Sequence, residues 1–511
     1  MNIKKFPILI ALTIAITSCS DFLDRFPLDK ISSEAYYTSE GQVNTALTGC
    51  YRRLMYSGWD GNIDHSLAVL SGNCIFDCFA DNGYIKWGFL GITSGNLNAA
   101  NAAVSGMYQY PYEGIAICND FIANVETKCG FLSEAKKNQY IAEAKFIRAY
   151  QYFGLTNLYG DVVLTLKIED ADFIAPRSPK KEVVKAILDD LDYGIANLPN
   201  EAYTDGRIKK GAAYALKMRV LLYEKDYAGV VKIWNDYFAT GENKFSIASD
   251  YDDIFKGSNQ AKCPEIILSA IYVQDVKYRS DIEVTLTAYT DAVALPNFMN
   301  EFEFNDGTPY SKSNPKFDSA DPFNNRDPRL TKILFDTVQI KEKDNLYYGK
   351  LNMGAIPTGK LIIKKFSLVE NLPAVWTDTK QEQDAVLLRF ADVALMYAEA
   401  ENELNGPSDK VVNAVQLVRG RQGVNMPKLA VMDKKIMQEK IRHERRVELA
   451  FEGTRYFDLL RWKKMGDIIP NLIDPNGITR VWSEHNYLWP LPTSPLNQNP
   501  KLVQNPGYGK L

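Results

Sequence analysis

The feature that most limits what this chain can become is a shape that recurs along it, a pair of helices joined by a tight turn. SEAKKNQYIAEAKFIRAYQYFGLTNLYGD (133–161) sets Ala142, Ala144 and Ala149 among Phe146, Tyr150, Phe153 and Leu158. That pattern suits a helix lying close against a neighbour, and Gly160-Asp161 ends it. KKEVVKAILDDLDYGIANLP (180–199) follows a loop holding Pro176 and Pro179 and stops at Pro199. The stretch 209–241 reads as two short helices hinged at Glu224-Lys225-Asp226, and 387–424 repeats the shape with Asn405-Gly406-Pro407 as the turn. A fourth pair, 433–466, breaks at Gly453.

Such pairs, with Ala at close-packing points and Tyr or Phe on the other side, resemble tetratricopeptide units, each of which buries its apolar face only by stacking on the next. The copies are scattered and not strictly periodic. The expectation is a mainly all-α fold, a tetratricopeptide-like helix-pair scaffold over about 133–241 and 387–466. Residues 56–112 and 242–385 are rich in Gly, Pro, Asn and Asp and read as an interleaved loop-rich face, where binding is usually found. No linker divides the chain, so 19–511 reads as one domain.

The first residues read differently. Lys4 and Lys5 precede an apolar run, Phe6 to Ile16, too short to span a bilayer permanently, and the small residues Thr17 and Ser18 lead into Cys19. This resembles a bacterial lipobox: residues 1–18 form a signal peptide and Cys19 carries the lipid. The alternative is an ordinary secreted protein with a coincidental cysteine. Acyl chains contribute ~0.8 kcal/mol per buried CH₂, so two or three hold a protein on a membrane. No later segment is apolar enough to span.

A net charge of −4 without any basic run argues against nucleic acid as partner. Beyond Cys19 there are six cysteines (Cys50, Cys74, Cys78, Cys118, Cys129 and Cys263), read as buried thiols or an occasional disulfide. Their spacing, with only three histidines in the chain, does not suit zinc. The acidic clusters DYDDIF (250–255) and FDSADPFNNRD (317–327) lack the order of an EF-hand, so no cofactor is expected, and structural calcium is left open. There is no P-loop and no G-x-S-x-G.

Six blocks then point one way: CSDFLDRFP (19–27), AEAKFIRAYQYFGLTNLYGDVVL (142–164), FNNRDPRL (323–330), LLRFADVALMYAEAENELNG (387–406), RHERRVELAFEGTRYFDLLRW (442–462) and NYLWPLPTSPLNQNPKLVQNPGY (486–508). In this order, from the lipobox to the C-terminus, they resemble the hallmark blocks of the SusD/RagB family. The resemblance implies an outer-membrane lipoprotein facing the cell exterior. It would have no catalytic activity, would capture nutrients, most often glycans, and would sit as a lid on a SusC-like TonB-dependent barrel. It also implies that the acidic residues after Cys19 help to route the protein to the surface.

Two motifs could pass for chemistry. Glu444, Glu448 and Glu452 lie at four-residue steps, and a glycosidase needs two nearby carboxylates. The neighbouring arginines read instead as an ion-pair ladder between packed helices. Arg326, Asp327 and Arg329 could clamp an anion, but Asp-Pro followed by Arg also builds a turn with internal pairs. Arg389 takes a packing role, and Trp462 and Trp489 lie inside shared blocks and read as core.

The ligand site is then expected in what the family does not share. Sugars stack their C–H faces on aromatic rings and bond their hydroxyls to Asp, Asn and Arg. Residues of that chemistry in loop context are Trp59 in SGWDGN, Asp77, Asp81, Asn82, Tyr84 and Trp87 in FDCFADNGYIKWG, Tyr310 in NDGTPYSK, and Trp376 in PAVWTD. DNGYIKWG is the leading platform, each tryptophan having loop plug as its plainer reading. A peptide ligand, or hydrolysis by Glu448 or loop carboxylates, are the alternatives.

Overall fold

Why the helices stand where they do is visible at their ends. The computed structural model describes residues 36–54, 69–86, 91–170, 172–273, 292–335, 361–367 and 382–509, with Ile282 and Leu286. In chain order, α1 spans Glu40–Tyr51 and α2 Val69–Phe79, before strand β1 at Gly83–Ile85. Helices α3 (Ala102–Lys128), α4 (Glu134–Tyr159), α5 (Lys180–Asn197), α6 (Lys210–Tyr223) and α7 (Tyr227–Ile233) follow. Strands β2 (Ile266–Ala270) and β3 (Ala292–Ala294) precede α8 (Pro296–Glu301) and α9 (Arg329–Ile333). Strand β4 (Ala385–Arg389) runs into α10 (Phe390–Asn405), followed by α11 (Asp409–Arg419), α12 (Lys434–Glu448) and α13 (Thr454–Arg461).

The expected punctuation is in place. Ser133 caps α4 by accepting the Lys136 N–H, and Gly160 leaves it at φ +74°. The hinge before α7 puts Lys225 at φ +62°, the α10–α11 turn Gly406 at +85°, and the α12–α13 break Gly453 at +81°. Each helix packs on its neighbour in sequence from α3 through α7, and α10 then lies against α6, α7, α11 and α12. Alanines make this approach possible: Ala142, Ala144, Ala149, Ala212, Ala213 and Ala215 are fully buried. The fold is mainly α-helical, as expected. Strands β1 and β3 pair antiparallel with Tyr84 opposite Val293, and β2 pairs antiparallel with β4.

One helix crossing is tight enough to test. A Cβ on Gly194 of α5 would sit 3.3 Å from the Ala213 Cβ of α6. Gly194→Val is therefore expected to part these helices and destabilise the protein by about 1–3 kcal/mol, read as a lower urea midpoint at unchanged slope.

The reading of 56–112 as loop-rich needs correction. Helix α2 lies inside it and α3 begins at Ala102, capped by Asn101, which accepts the Ala103 N–H. The run GNLNAAN (95–101) has loop composition because it leads into the cap, and Pro111 sits inside α3, where proline normally ends a helix. The 27-residue helix survives it with twelve buried positions. Among the described residues, no helix is long and apolar enough to cross a membrane. Cys19 and residues 1–18 lie outside them.

Candidate functional site

The shared blocks converge first. On α12, Glu448 accepts hydrogen bonds from Arg329 (2.9 Å), Arg389 (2.8 Å) and Arg421 (2.7 Å). One turn earlier, Glu444 accepts from Arg329 (2.6 Å) and Arg419 (2.8 Å). Beyond the helix end, Glu452 takes both Nε and Nη2 of Arg389 at 2.7 Å, and Lys365 at 2.5 Å. Asp327 grips Arg329 at 2.7 Å, so FNNRDPRL closes on the same cluster. Glu444, Glu448, Arg329 and Arg421 have no exposed side-chain area. Burial alone would raise the Glu448 carboxyl, yet Arg421, Arg389 and Arg329 hold it well below the usual carboxylate range. A general acid needs the opposite shift, so this ladder is an ionic core that staples α12 to α9, β4 and α11.

The predicted platform begins at the end of α2. Asp77 accepts the backbone N–H groups of Phe451 (2.9 Å) and Gly453 (2.8 Å) and the Asn82 amide (2.7 Å). Burial pushes its carboxyl up to about 7 against those three bonds. Asp81 takes both arms of Arg455 (2.8 and 2.9 Å) and pairs with Arg446 at 3.1 Å; burial opposes this, but the two guanidinium groups hold it well below the ordinary range. Asn82 accepts from Arg446 Nε at 2.8 Å. Arg480 closes the turn by donating to the carbonyls of Ala80 and Gly83.

Asp77, Asp81 and Asn82 were expected to meet ligand hydroxyls. The structure corrects this: all three are buried, Asp77 on the α12–α13 turn, Asp81 and Asn82 on arginines of α12 and α13. They clamp the end of α2 and the turn after it to α12 and α13. Tyr84, one residue further, is 9% exposed and packs on Val293 and Leu295; burial, then Asp474, raises its phenol. Trp59, Trp87 and Trp376 lie outside the described residues.

Asp81→Asn follows as a test of the clamp. It takes the Asp81 carboxylate from Arg455 and from Arg446, which keeps Glu301, and is expected to cost ~1–3 kcal/mol of stability, while folded protein binds ligand as before. Loss of affinity at unchanged stability would return Asp81 to the ligand.

Tyr310 keeps some exposure and is held from behind. The Arg326 guanidinium lies 4.1 Å from its ring centroid, Phe304 stacks at 6.1 Å and Phe317 meets it edge-on at 5.9 Å. Arg326 is itself fixed by the carbonyls of Met299 (2.8 Å), Phe302 (2.8 Å) and Pro322 (3.0 Å). The platform and Tyr310 are joined through α8: Asn297 donates to the Asp81 carbonyl at 2.7 Å, and Glu301 pairs with Arg446 at 2.6 Å. Sequence reasoning missed Arg326 as the prop, because its partners are carbonyls that no motif displays.

Also unanticipated is a cleft of about 160 Å³ between α2, α4, α6 and the start of α13, lined by Phe76, Tyr150, Phe153, Tyr223 and Phe457 beside Arg219. Trp489 is wholly buried and donates to the Tyr456 hydroxyl at 2.8 Å, as core. Trp462 is half-buried, with Arg442 and Arg461 over its ring and its Nε1 on Glu399.

The acidic clusters are engaged with protein. Asp252 pairs with Lys332 at 2.6 Å and Lys256 at 3.1 Å, and Asp318 and Asp321 accept backbone N–H groups. Among the described residues, no group of three His, Cys, Asp or Glu is placed to hold a metal.

A helix-pair scaffold stapled by a buried ionic ladder, with Tyr310 propped by Arg326 on a loop beside it, defines a mainly α-helical, repeat-like fold. Two family models match it: one described as the SusD family over residues 264–508, the other as starch-binding associating with outer membrane over residues 21–222. The chain belongs to the SusD/RagB family. A SusD-like protein of Formosa agariphila is 27% identical, covering 99% of this chain and 100% of its own. A SusD-like carbohydrate-binding protein of Bacteroides fragilis superposes with a TM-score of 0.77 at 25% identity, covering 91% of this chain and 99% of that one. Surface glycan-binding protein A of Bacteroides thetaiotaomicron, solved with laminarihexaose, shares the fold at a TM-score of 0.69 and 18% identity, over 92% and 100% of the two chains.

Proposed function

We propose that this protein is a lipid-anchored, non-catalytic glycan-binding protein of the outer-membrane surface that hands oligosaccharides to a SusC-like TonB-dependent barrel. Residues 1–18 are its signal peptide, Cys19 its anchor, and 19–511 its single functional unit. The observation that carries the reading is the match of residues 21–222 to a family described as starch-binding and associating with the outer membrane. The laminarihexaose complex of a protein with the same fold supports it.

The contact residues proposed are Trp59, Trp87, Tyr310 and Trp376, with Tyr84 beneath the platform. A ring propped by Arg326 is pre-organised, so stacking a sugar on Tyr310 orders little new structure. Because Asp77, Asp81 and Asn82 are engaged with protein, the polar partners of the sugar come from elsewhere on the loops.

Calorimetry of residues 20–511 against plant, host and microbial polysaccharides, with peptide mixtures alongside, tests the reading. One glycan class is expected to bind. Tyr310→Ala and Trp87→Ala should each weaken it about tenfold, the equivalent of about 1.4 kcal/mol, at unchanged melting temperature. Binding to peptides alone would overturn the glycan reading, and release of reducing sugar would overturn the non-catalytic one.

A further inference from the structure

We infer that Cys50 and Cys118 are joined as a cystine in the mature protein, tying α1 to α3, and that the other four buried cysteines stay as thiols. The inference rests on the outer-membrane reading for its oxidising surroundings; its geometry stands on the fold alone.

Helix α1 lies along α3, and contacts on either side of the two cysteines set the register. Tyr37, ahead of α1, meets Phe121 of α3 with ring centroids 6.3 Å apart. Past the end of α1, Arg53 approaches Gly114 so closely that a Cβ added there would sit 3.3 Å from the Arg53 Cβ. Cys118 is one helical turn beyond Gly114, and Cys50 one turn before Arg53, so the register sets the two sulfurs opposite each other one turn from that contact. Both residues are fully buried, and the neighbouring Cys118 thiol, then burial, raises the Cys50 thiol.

The remaining cysteines are the contrast. Cys74 and Cys78 are also neighbours, but they lie one turn apart on α2. Cβ atoms at that helical spacing are about 5–6 Å apart, whereas a disulfide needs about 3.5–4.5 Å. Joining them would unwind the helix that holds Asp77. Cys129 and Cys263 are buried, and in the described structure all six are free thiols.

The bond forms by two exchanges. The Cys50 or Cys118 thiolate, its proton lost to solvent, attacks a disulfide of an exported thiol-oxidising protein, and one thiolate leaves. The second cysteine then attacks the mixed disulfide, the Cys50–Cys118 bond forms, and the donor departs as a dithiol carrying the two electrons. Because both sulfurs are inaccessible in the folded chain, exchange takes place before α1 closes on α3. The loop so closed, 51–117, carries Trp59, Asp77 and Trp87. The cystine therefore restrains the platform-bearing segment at its root.

The test is alkylation in denaturant without reductant, followed by peptide mapping, on full-length protein taken from the outer-membrane fraction of its own cells. The expected result is four alkylated cysteines, namely Cys74, Cys78, Cys129 and Cys263, and one peptide pair linked through Cys50 and Cys118. Cys74→Ala/Cys78→Ala should keep the link. Alkylation of both Cys50 and Cys118 would overturn the inference, as would a link between any other pair. Reduced protein refolded with oxidised glutathione reads the geometry independently. Preferential formation of the same link there supports the pairing even if fractionation contradicts the outer-membrane location, and failure to form it overturns the pairing whatever the location.

Discussion

Glu448→Ala is expected to lower the unfolding free energy by about 3–5 kcal/mol or more, the range for breaking a buried ion pair by removing one partner. Glu448 lies at the upper end because its carboxylate is shared by Arg329, Arg389 and Arg421, all within 2.9 Å. Arg329 retains Glu444 and Asp327, and Arg389 retains Glu265 and Glu452. The loss therefore spreads through a coupled network in which single deletions do not add. Glu448→Gln should recover only part, since an amide accepts hydrogen bonds through one oxygen and carries no charge. Urea titration of both variants measures this. A loss below about 1 kcal/mol would return α12 to the status of a solvated charged face.

The same network makes the protein acid-labile. Against the penalty of burial, Arg219 and Arg445 hold Asp392 down to about 2. Glu444 is lowered by Arg329 and Arg419, again against burial, and Glu448 and Asp81 are held well below the ordinary range. For each group the folded pKa lies beneath the unfolded one. Its stabilisation is complete above about pH 4.5 and is lost as pH falls through the unfolded value toward the folded one. Asp77, raised to about 7, runs the other way: its contribution is full below about pH 4 and is lost as pH rises toward 7. Asp384, raised to about 6 chiefly by burial, joins Asp77 in opposing these four. The melting temperature should therefore fall steeply between about pH 4 and 2, with only a shallow decline from about pH 5 to 7. A melting curve flat from pH 7 to pH 3 would contradict the buried ladder.

Reading the sequence succeeded where the signal is local. Helices α4, α5 and α6 announce themselves through apolar periodicity and through Ser133, Gly160, Pro179 and Pro199, because capping and φ preference act within a turn of the residue concerned. The arginine–glutamate reading of α12 also held, since carboxylates spaced like Glu444, Glu448 and Glu452 need cations nearby whatever the fold, although the helix ends at Glu448 and Glu452 lies beyond it. Helix α3 was hidden because Pro111 and the Asn-rich turn carry loop chemistry, and only the partners along α1 and α4 show that burial outweighs it.

The site divides along the same line. That this chain carries aromatics suited to stacking, and belongs to the SusD/RagB family, follows from residue types and their order. Whether a given aspartate meets a sugar does not. Asp81 in DNGYIKWG has the same chemistry whether it faces water or an arginine, and its partner Arg446 is 365 residues away. Local propensity reaches a few residues along the chain. Burial and charge pairing depend on which distant segment arrives alongside, so the tertiary structure alone turned Asp77, Asp81 and Asn82 from ligand contacts into the clamp beneath them, and set Arg326 behind Tyr310.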